Sequence, residues 1–488
     1  EKVELAPDLR QRMEPARRVV ESVVESGKSI YGISTGLGDL ASVRIDPHES
    51  ARLQRDIVRS HATAVGPPLP KEVVRAMLLL RARTFAFGIS GVRFELVELL
   101  ADLLNANIHP IVPAQGSLGA SGDLSPLAHL ALPLIGEGLV DHEGRIEEAA
   151  DALRAASLEP TTLSYKEGLS LVNGTEGMLA LGILGCTRAE RLAKTADLTG
   201  AMTLEACLGT DRAFDERLIG LRKHVGAFAS ASNLRRLLAD SEIVSSHRES
   251  EHLVQDAYSL RCIPQVHGAY RDGLRYVRSM LEAELASAID NPSVIVDTGE
   301  VLSGGNFHGE ALGLALDHLG LCLAGFATIA ERRVARIVDP DLNNGLPAFL
   351  STDPGRRTGL MLTQYTAASL VSENRGLCFP ASSDSIPTSA GQEDHVSMGA
   401  TSARKAGSIL ANTEHVIAIE ALNAAQGLDL RGPLQTAPGT GAAREAIREV
   451  SAFLEEDRSL APDIGAVRRL VSDGTLIAAA ESAIGPLD

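Results

Sequence analysis

The stretch Gly116-Ser117-Leu118-Gly119-Ala120-Ser121-Gly122-Asp123-Leu124-Ser125-Pro126-Leu127 sets a serine between two small residues in a glycine-rich turn. Backbone chemistry is open to such a turn. The Gly122 amide nitrogen can attack the Ala120 carbonyl with loss of water, and Ser121 can then lose its hydroxyl as a second water. The product is a five-membered imidazolinone with an exocyclic methylene, an electrophile that no ordinary side chain offers. Gly122 has no Cβ to shield its nitrogen, and it permits the dihedrals of a compressed turn. A plainer reading fits the same residues: Ser125 is a helix N-cap, Pro126 takes the first helical position, and the helix runs to Gly136.

Three further glycine-rich turns interrupt the chain, at Tyr31–Gly38, Asn173–Gly177 and Ser303–Gly305. Loops carry function more often than helices do, so these are the places to search. Taken singly, Tyr31-Gly32 and Asn173-Gly174 are turn dipeptides, and a lone Arg261 is a surface residue. Their neighbours change that.

The run Gly119-Ala120-Ser121-Gly122-Asp123-Leu124-Ser125-Pro126-Leu127-Ala128 resembles the signature of the histidine and phenylalanine ammonia-lyase family. The resemblance continues at intervals from about Tyr31 to Arg431. It implies a mainly α fold, a long-helix bundle of the fumarase/aspartase type with a mixed N-terminal region. It implies homotetramers whose active sites are shared between subunits. It implies a 4-methylidene-imidazol-5-one formed autocatalytically from Ala120-Ser121-Gly122, with no external cofactor and no metal.

The same resemblance distributes roles. Tyr31-Gly32-Ile33-Ser34-Thr35-Gly36-Leu37-Gly38 is similar to the loop that supplies a catalytic tyrosine. The β-proton of an amino acid is weakly acidic, and a phenolate is a base strong enough to take it. Leu37 stands where the family usually has Phe. Lys166–Thr175 resembles the segment whose amide, here Asn173, donates to the ring oxygen. Gln255-Asp256-Ala257-Tyr258-Ser259-Leu260-Arg261-Cys262 resembles a block in which Gln255 and Arg261 bind substrate and Tyr258 sits by the amine. The planar fork of Arg261 suits a carboxylate. Ser303–His308 resembles a block that sets Phe307 in the pocket wall.

Two positions bear on which amino acid is taken. Histidine-specific members carry Ser-His, as in Ser60-His61, and Glu at the place of Glu393. Gly391 stands where the family more often has Asn. An imidazole has two ring nitrogens that His61 and Glu393 can hold, whereas a benzene ring strands both groups. The implied reaction is elimination of ammonia from L-histidine to give trans-urocanate. The alternative is a phenylalanine or tyrosine ammonia-lyase, or an aromatic 2,3-aminomutase, with the same cofactor.

The elements that must hold these groups are helical. Aromatics make up only 3 % of the 488 residues, Trp is absent, and strand-type alternation is scarce. Apolar residues at steps of three and four predict a helix over Gly268–Ile289, stopped by Asp290-Asn291-Pro292. Gly305–Arg333 and Ser397–Gln426 are two more long candidates. The expected division is residues 1–199, carrying the cofactor turn and the Tyr31 loop, and 200–488, carrying long helices and then shorter ones.

Composition narrows the function classes. A net charge of −17, from 46 basic and 63 acidic residues, disfavours nucleic acid and anionic membrane as partners. Five widely spaced cysteines without CxxC argue against a disulfide framework or zinc site and point to a reducing cytoplasm. The apolar stretch 311–330 carries Asp317 and His318 and reads as a core helix, not a membrane span. The first residues do not read as a signal peptide. No GxGxxG, P-loop or HExxH supports a nucleotide-binding module or zinc hydrolase. A catalytically dead scaffold is disfavoured by the joint presence of Tyr31, Ser121, Asn173, Tyr258, Arg261 and Glu393.

Overall fold

The computed structural model describes residues 2–26, 30, 32, 35, 45–46, 49–119, 122–250 and 254–488. Tyr31, Ala120 and Ser121 lie outside the described residues. Nineteen α-helices and three small antiparallel sheets occur among them. The three long helices expected from periodicity are present as Ile263–Leu285, Glu310–Val338 and Gly399–Asp429. The first starts and stops earlier than the apolar spacing suggests. A fourth long helix, Glu176–Ala206, had no stripe to announce it. Its apolar residues and its Ala and Gly residues lie on every side, as befits a buried helix.

The chain divides into two compact units, each made of three separate segments. The first comprises residues 1–184, 279–317 and 380–404; the second comprises 185–278, 318–379 and 405–488. The expected boundary near residue 199 falls within the Glu176–Ala206 helix.

The first unit holds all three sheets. Ile108–Pro110, Leu139–His142 and Arg145–Glu148 form the largest, with Leu139–His142 at its centre. Val65–Pro68 pairs with Pro113–Gln115, and Ser293–Ile295 with Glu300–Leu302. The Leu9–Glu25 helix buries Ala16, Val20 and Val23 against Val294. The Ser50–His61 helix packs on two short helices, Leu124–Ala131 and Glu167–Val172. Gln54 holds that junction, its Oε1 accepting the N–H groups of Gly168 at 2.8 Å and Leu169 at 3.2 Å.

The helix after the Ala-Ser-Gly turn differs from the plain capping reading. It starts at Leu124, with Asp123 and not Ser125 at the N-cap, and Pro126 lies in the first turn. The Ser125 hydroxyl instead accepts the Thr63 N–H at 3.1 Å. A short 3₁₀ turn follows, and left-handed Gly136 (φ 78°) ends the run where expected.

The second unit is helical. The Pro438–Val450 helix packs along Thr475–Ile484 and touches Val225–Leu237. Arg333 and Glu420 form a fully buried ion pair, and Glu420 also accepts Thr199 and Thr203 hydroxyls. Among the described residues, Glu310–Val338 is the one helix long and apolar enough to cross a membrane; 67 % of its most apolar window is buried inside the protein.

Candidate active site

The site is built outward from the turn. Gly122 has φ 74°, and a Cβ there would overlap the Gly174 carbonyl. Only glycine fits. Gly122 and Gly174 form a bridge, with the Asp123 N–H donating to the Gly174 carbonyl at 2.6 Å. The residue after Asn173 is thereby set directly against the residue whose nitrogen would close the ring.

Asp123 braces the turn from below. Its carboxylate accepts the Ser117 hydroxyl at 2.8 Å and the Met178 N–H at 2.9 Å. Ser117 in turn accepts the Gly119 N–H at 3.1 Å. Burial pushes the Asp123 carboxyl up to about 6, with nearby Glu176 adding to the rise and the hydrogen bonds opposing it. The Gly119 carbonyl accepts two donors, the Gly309 N–H and the Ser397 hydroxyl, each at 2.9 Å.

Asn173 is buried at the C-terminal end of the Glu167–Val172 helix. Its Nδ2 donates to the Asn291 carbonyl at 2.9 Å, which takes one of its two amide protons. Among the described residues its Oδ1 is buried without a hydrogen-bond partner. The second Nδ2 proton, beside a glycine that tolerates no Cβ, fits a small ring with a carbonyl oxygen at this position. Arg81, paired with Glu176, holds the Asn173 main-chain carbonyl at 3.0 Å.

Phe307 is half-buried in the turn before the Glu310–Val338 helix. Glu393 is half-buried in a short loop, where its Oε2 accepts the Thr388 hydroxyl at 2.7 Å. Ser389, Ala390 and Gly391 all take left-handed conformations there. These two loops meet: His308 Nε2 donates to the His395 carbonyl at 3.2 Å, and the two rings stack with centroids 5.9 Å apart. His61 is the last residue of the Ser50–His61 helix. Its Nδ1 donates to the Ile57 carbonyl at 2.8 Å, so a neutral ring presents Nε2 as an acceptor.

Within the first unit, hydrogen bonds of neighbouring residues tie together the segments that carry Gly122, Asn173, Phe307 and Glu393. His61 ends the helix that packs on the one carrying Asn173. Gln255, Tyr258 and Arg261 belong to the second unit. There, the buried Asp256 carboxylate accepts the Thr210 N–H at 2.7 Å and fixes the segment. Tyr258 is 72 % exposed, and the Arg261 guanidinium lies over its ring at 4.8 Å. Among the described residues, Arg261 Nε is buried without a hydrogen-bond partner.

Sequence reasoning missed several supporting residues. Asp290-Asn291-Pro292 reads as a helix stop, yet Asn291 holds Asn173. Ser117 and Ser397 carry no motif that marks them. Lys166 and Asp290 are 124 residues apart and pair only in the fold.

The fold and the braced turn define a class: a mainly α-helical protein with a braced glycine-rich loop. The profile of the aromatic amino acid lyase family matches residues 1–449. A histidine ammonia-lyase of Symbiobacterium thermophilum is 52 % identical, covering 100 % of this chain and 96 % of its own length. The crystal structure of histidine ammonia-lyase from Trypanosoma cruzi has a TM-score of 0.91 at 41 % identity, covering 99 % of this chain and 91 % of that one. Tyrosine aminomutase from Streptomyces globisporus has a TM-score of 0.93 at 37 % identity, covering 99 % and 95 %. The fold is the mainly α, fumarase/aspartase-like one that the resemblance implied. The chain belongs to the aromatic amino acid lyase family.

Proposed function

We propose that this chain eliminates ammonia from L-histidine to give trans-urocanate. The observation that carries the reading is the full-length match, at 52 % identity, to a relative named histidine ammonia-lyase. His61 and Glu393 support the choice of substrate over the aminomutase and phenylalanine alternatives.

The cofactor is the imidazolinone made from Ala120, Ser121 and Gly122, and it supplies an electron-poor methylene as electrophile. Asn173 would hold it. The absence of space for a Cβ at Gly122 and the Asn173 Nδ2 proton left over from its bond to Asn291 support that fit. The remaining Asn173 N–H is the donor available to the ring oxygen.

The chain's own residues do the rest. Arg261 binds the substrate carboxylate, with Gln255 beside it, and its unpartnered Nε is the donor that a carboxylate would satisfy. Tyr258 lies by the amine. Glu393 accepts the N–H of the substrate imidazole, His61 lies at the other ring nitrogen, and Phe307 covers the ring. Tyr31 takes the β-proton as the C–N bond breaks, and the bonding pair leaves with ammonia. The enzyme acts as a homotetramer in the cytoplasm, with sites completed by neighbouring subunits.

One assay separates the readings. Purified protein with L-histidine should release urocanate, seen by its ultraviolet absorbance, and intact mass should fall short of the encoded mass by two waters. A β-amino acid product, or a preference for tyrosine or phenylalanine, would sink the substrate assignment. Ser121→Ala should keep the fold, retain its full encoded mass and lose nearly all turnover.

A further inference from the structure

Asn173 can serve the ring only if its amide is held in one orientation. Three contacts fix its main chain and side chain: Leu169 accepts its N–H, Arg81 holds its carbonyl, and the Asn291 carbonyl takes Nδ2. The last contact comes from a peptide that is itself unusually constrained. The Asn291 N–H donates to Asp290 Oδ1 at 2.8 Å. Asp290 Oδ2 accepts the Lys166 ammonium at 2.7 Å and the Ser170 hydroxyl at 3.0 Å. Lys166 also donates to Ser170 at 2.8 Å. Both ionic side chains are fully buried.

The connectivity is what matters. Lys166 is the N-cap of the Glu167–Val172 helix, in a left-handed conformation (φ 67°), and Asn173 is its C-cap. The path Lys166, Asp290, Asn291, Asn173 therefore spans this one short helix from end to end. Asn291 reaches further, because its side-chain Oδ1 accepts the Gly304 N–H at 2.8 Å in the turn that leads to Phe307. A buried ion pair contributes little net stability against an apolar replacement, so its retention calls for another reason. Orientation of a reacting group is such a reason, since a displacement of about 1 Å can cost roughly 10²-fold in rate.

We infer that Lys166, Asp290 and Asn291 are positioning residues that bracket the Glu167–Val172 helix, fix the Asn173 amide against the Gly122 turn, and tie it to the Phe307 wall. The inference rests on the reading of Asn173 and the Ala-Ser-Gly turn given above. None of the three touches substrate. The ion pair acts through the main-chain carbonyl of Asn291, and the Asn291 side chain acts through Gly304. The two arms therefore have separable consequences.

The double variant Lys166→Met/Asp290→Asn removes both charges together, so neither is left buried alone. It should fold, as judged by circular dichroism, while a smaller fraction of chains loses two waters by intact mass. Its mature chains should show kcat on L-histidine lowered by about 10- to 100-fold. Asn291→Ala keeps the main-chain carbonyl and releases only Gly304. It should lose both waters fully, yet raise KM by about tenfold with a smaller change in kcat. A double variant that folds, matures fully and turns over at the wild-type kcat overturns the inference, even if its melting temperature falls. If the double variant does not fold, Asp290→Asn alone decides the bracket: full maturation with the wild-type kcat overturns it, and a smaller matured fraction supports it; an unchanged KM in Asn291→Ala overturns the tie to the Phe307 wall. Failure of the substrate reading looks different. Wild-type protein would then shed both waters but release no ammonia from L-histidine, and the mass comparison would still judge the bracket.

Discussion

Glu393 and Asp123 are both carboxylates, and the fold treats them in opposite ways. Glu393 is half-buried, and its Oε2 accepts the Thr388 hydroxyl at 2.7 Å. A charge-assisted hydrogen bond contributes more than a neutral one, by about 1–1.5 kcal/mol. Glu393→Gln should therefore lower kcat/KM for histidine by roughly tenfold. Residual activity on phenylalanine, which offers no N–H, should hardly change. Equal losses on the two substrates would show that Glu393 serves the fold and not the imidazole. Asp123 is fully buried, and burial raises its carboxyl to about 6. Its folded-state value thus lies above the unfolded value of ~3.9. The contribution to stability is present in full below pH ~4 and is lost as pH rises through about 6, by roughly 2–3 kcal/mol. Asp123→Asn is neutral at every pH. Its apparent melting temperature, relative to wild type, should climb between pH 4 and pH 7 and then level off. The loss of one acceptor for Ser117 or Met178 only offsets that curve by a constant. A difference that stays flat from pH 4 to pH 8 would refute the raised carboxyl.

At the scale of elements, the helix that ends in His61 and the helix that Asn173 caps approach closely. Gly168 lies against the main-chain carbonyl of Gln54, and a Cβ there would overlap it. Gly168→Ala should therefore push the Ser50–His61 helix away and destabilise the protein by about 1–3 kcal/mol. Turnover should fall along with stability, because the shift reaches both ends of the Glu167–Val172 helix. Thermal melts and kcat measured on the same preparation check this, and a variant neutral in both would show that the junction is compliant. The elements that sequence made legible are those with a one-sided apolar stripe: Ile263–Leu285, Glu310–Val338 and Gly399–Asp429. The Glu176–Ala206 helix has no such stripe, because it is buried on most sides. Motif residues were legible because their neighbours carried them; Gly122 and Asn173 were singled out in that way, and Gly174, next to Asn173, bridges to Gly122. The supports were not. A buried Lys166–Asp290 pair has no local signature, since each partner alone looks like an ordinary surface charge and the pairing spans 124 residues. Ser125 shows the opposite error, where a good N-cap type was recruited to hold Thr63 instead.

At the scale of the whole molecule, the second unit presents its candidate groups to the outside. Tyr258 is 72 % exposed, Gln255 is exposed, and Arg261 has a buried Nε with no partner. A site that moves a proton from a weakly acidic carbon works better when water is excluded. A second copy of the chain laid over this surface would provide that exclusion, as the family resemblance implies. Light scattering should then give about four times the chain mass of 51.4 kDa, and an active monomer at assay concentration would refute the assembly. Co-expression tests the sharing itself. Ser121→Ala alone lacks the electrophile, and Arg261→Ala alone lacks the carboxylate anchor. If one site draws Ser121 and Arg261 from different chains, random mixing in a tetramer leaves about a quarter of sites with both groups intact. Mixed tetramers should then recover activity that neither parent has. If every site takes both residues from one chain, no arrangement of the two variants restores a complete site, and co-expressed protein stays as inactive as its parents.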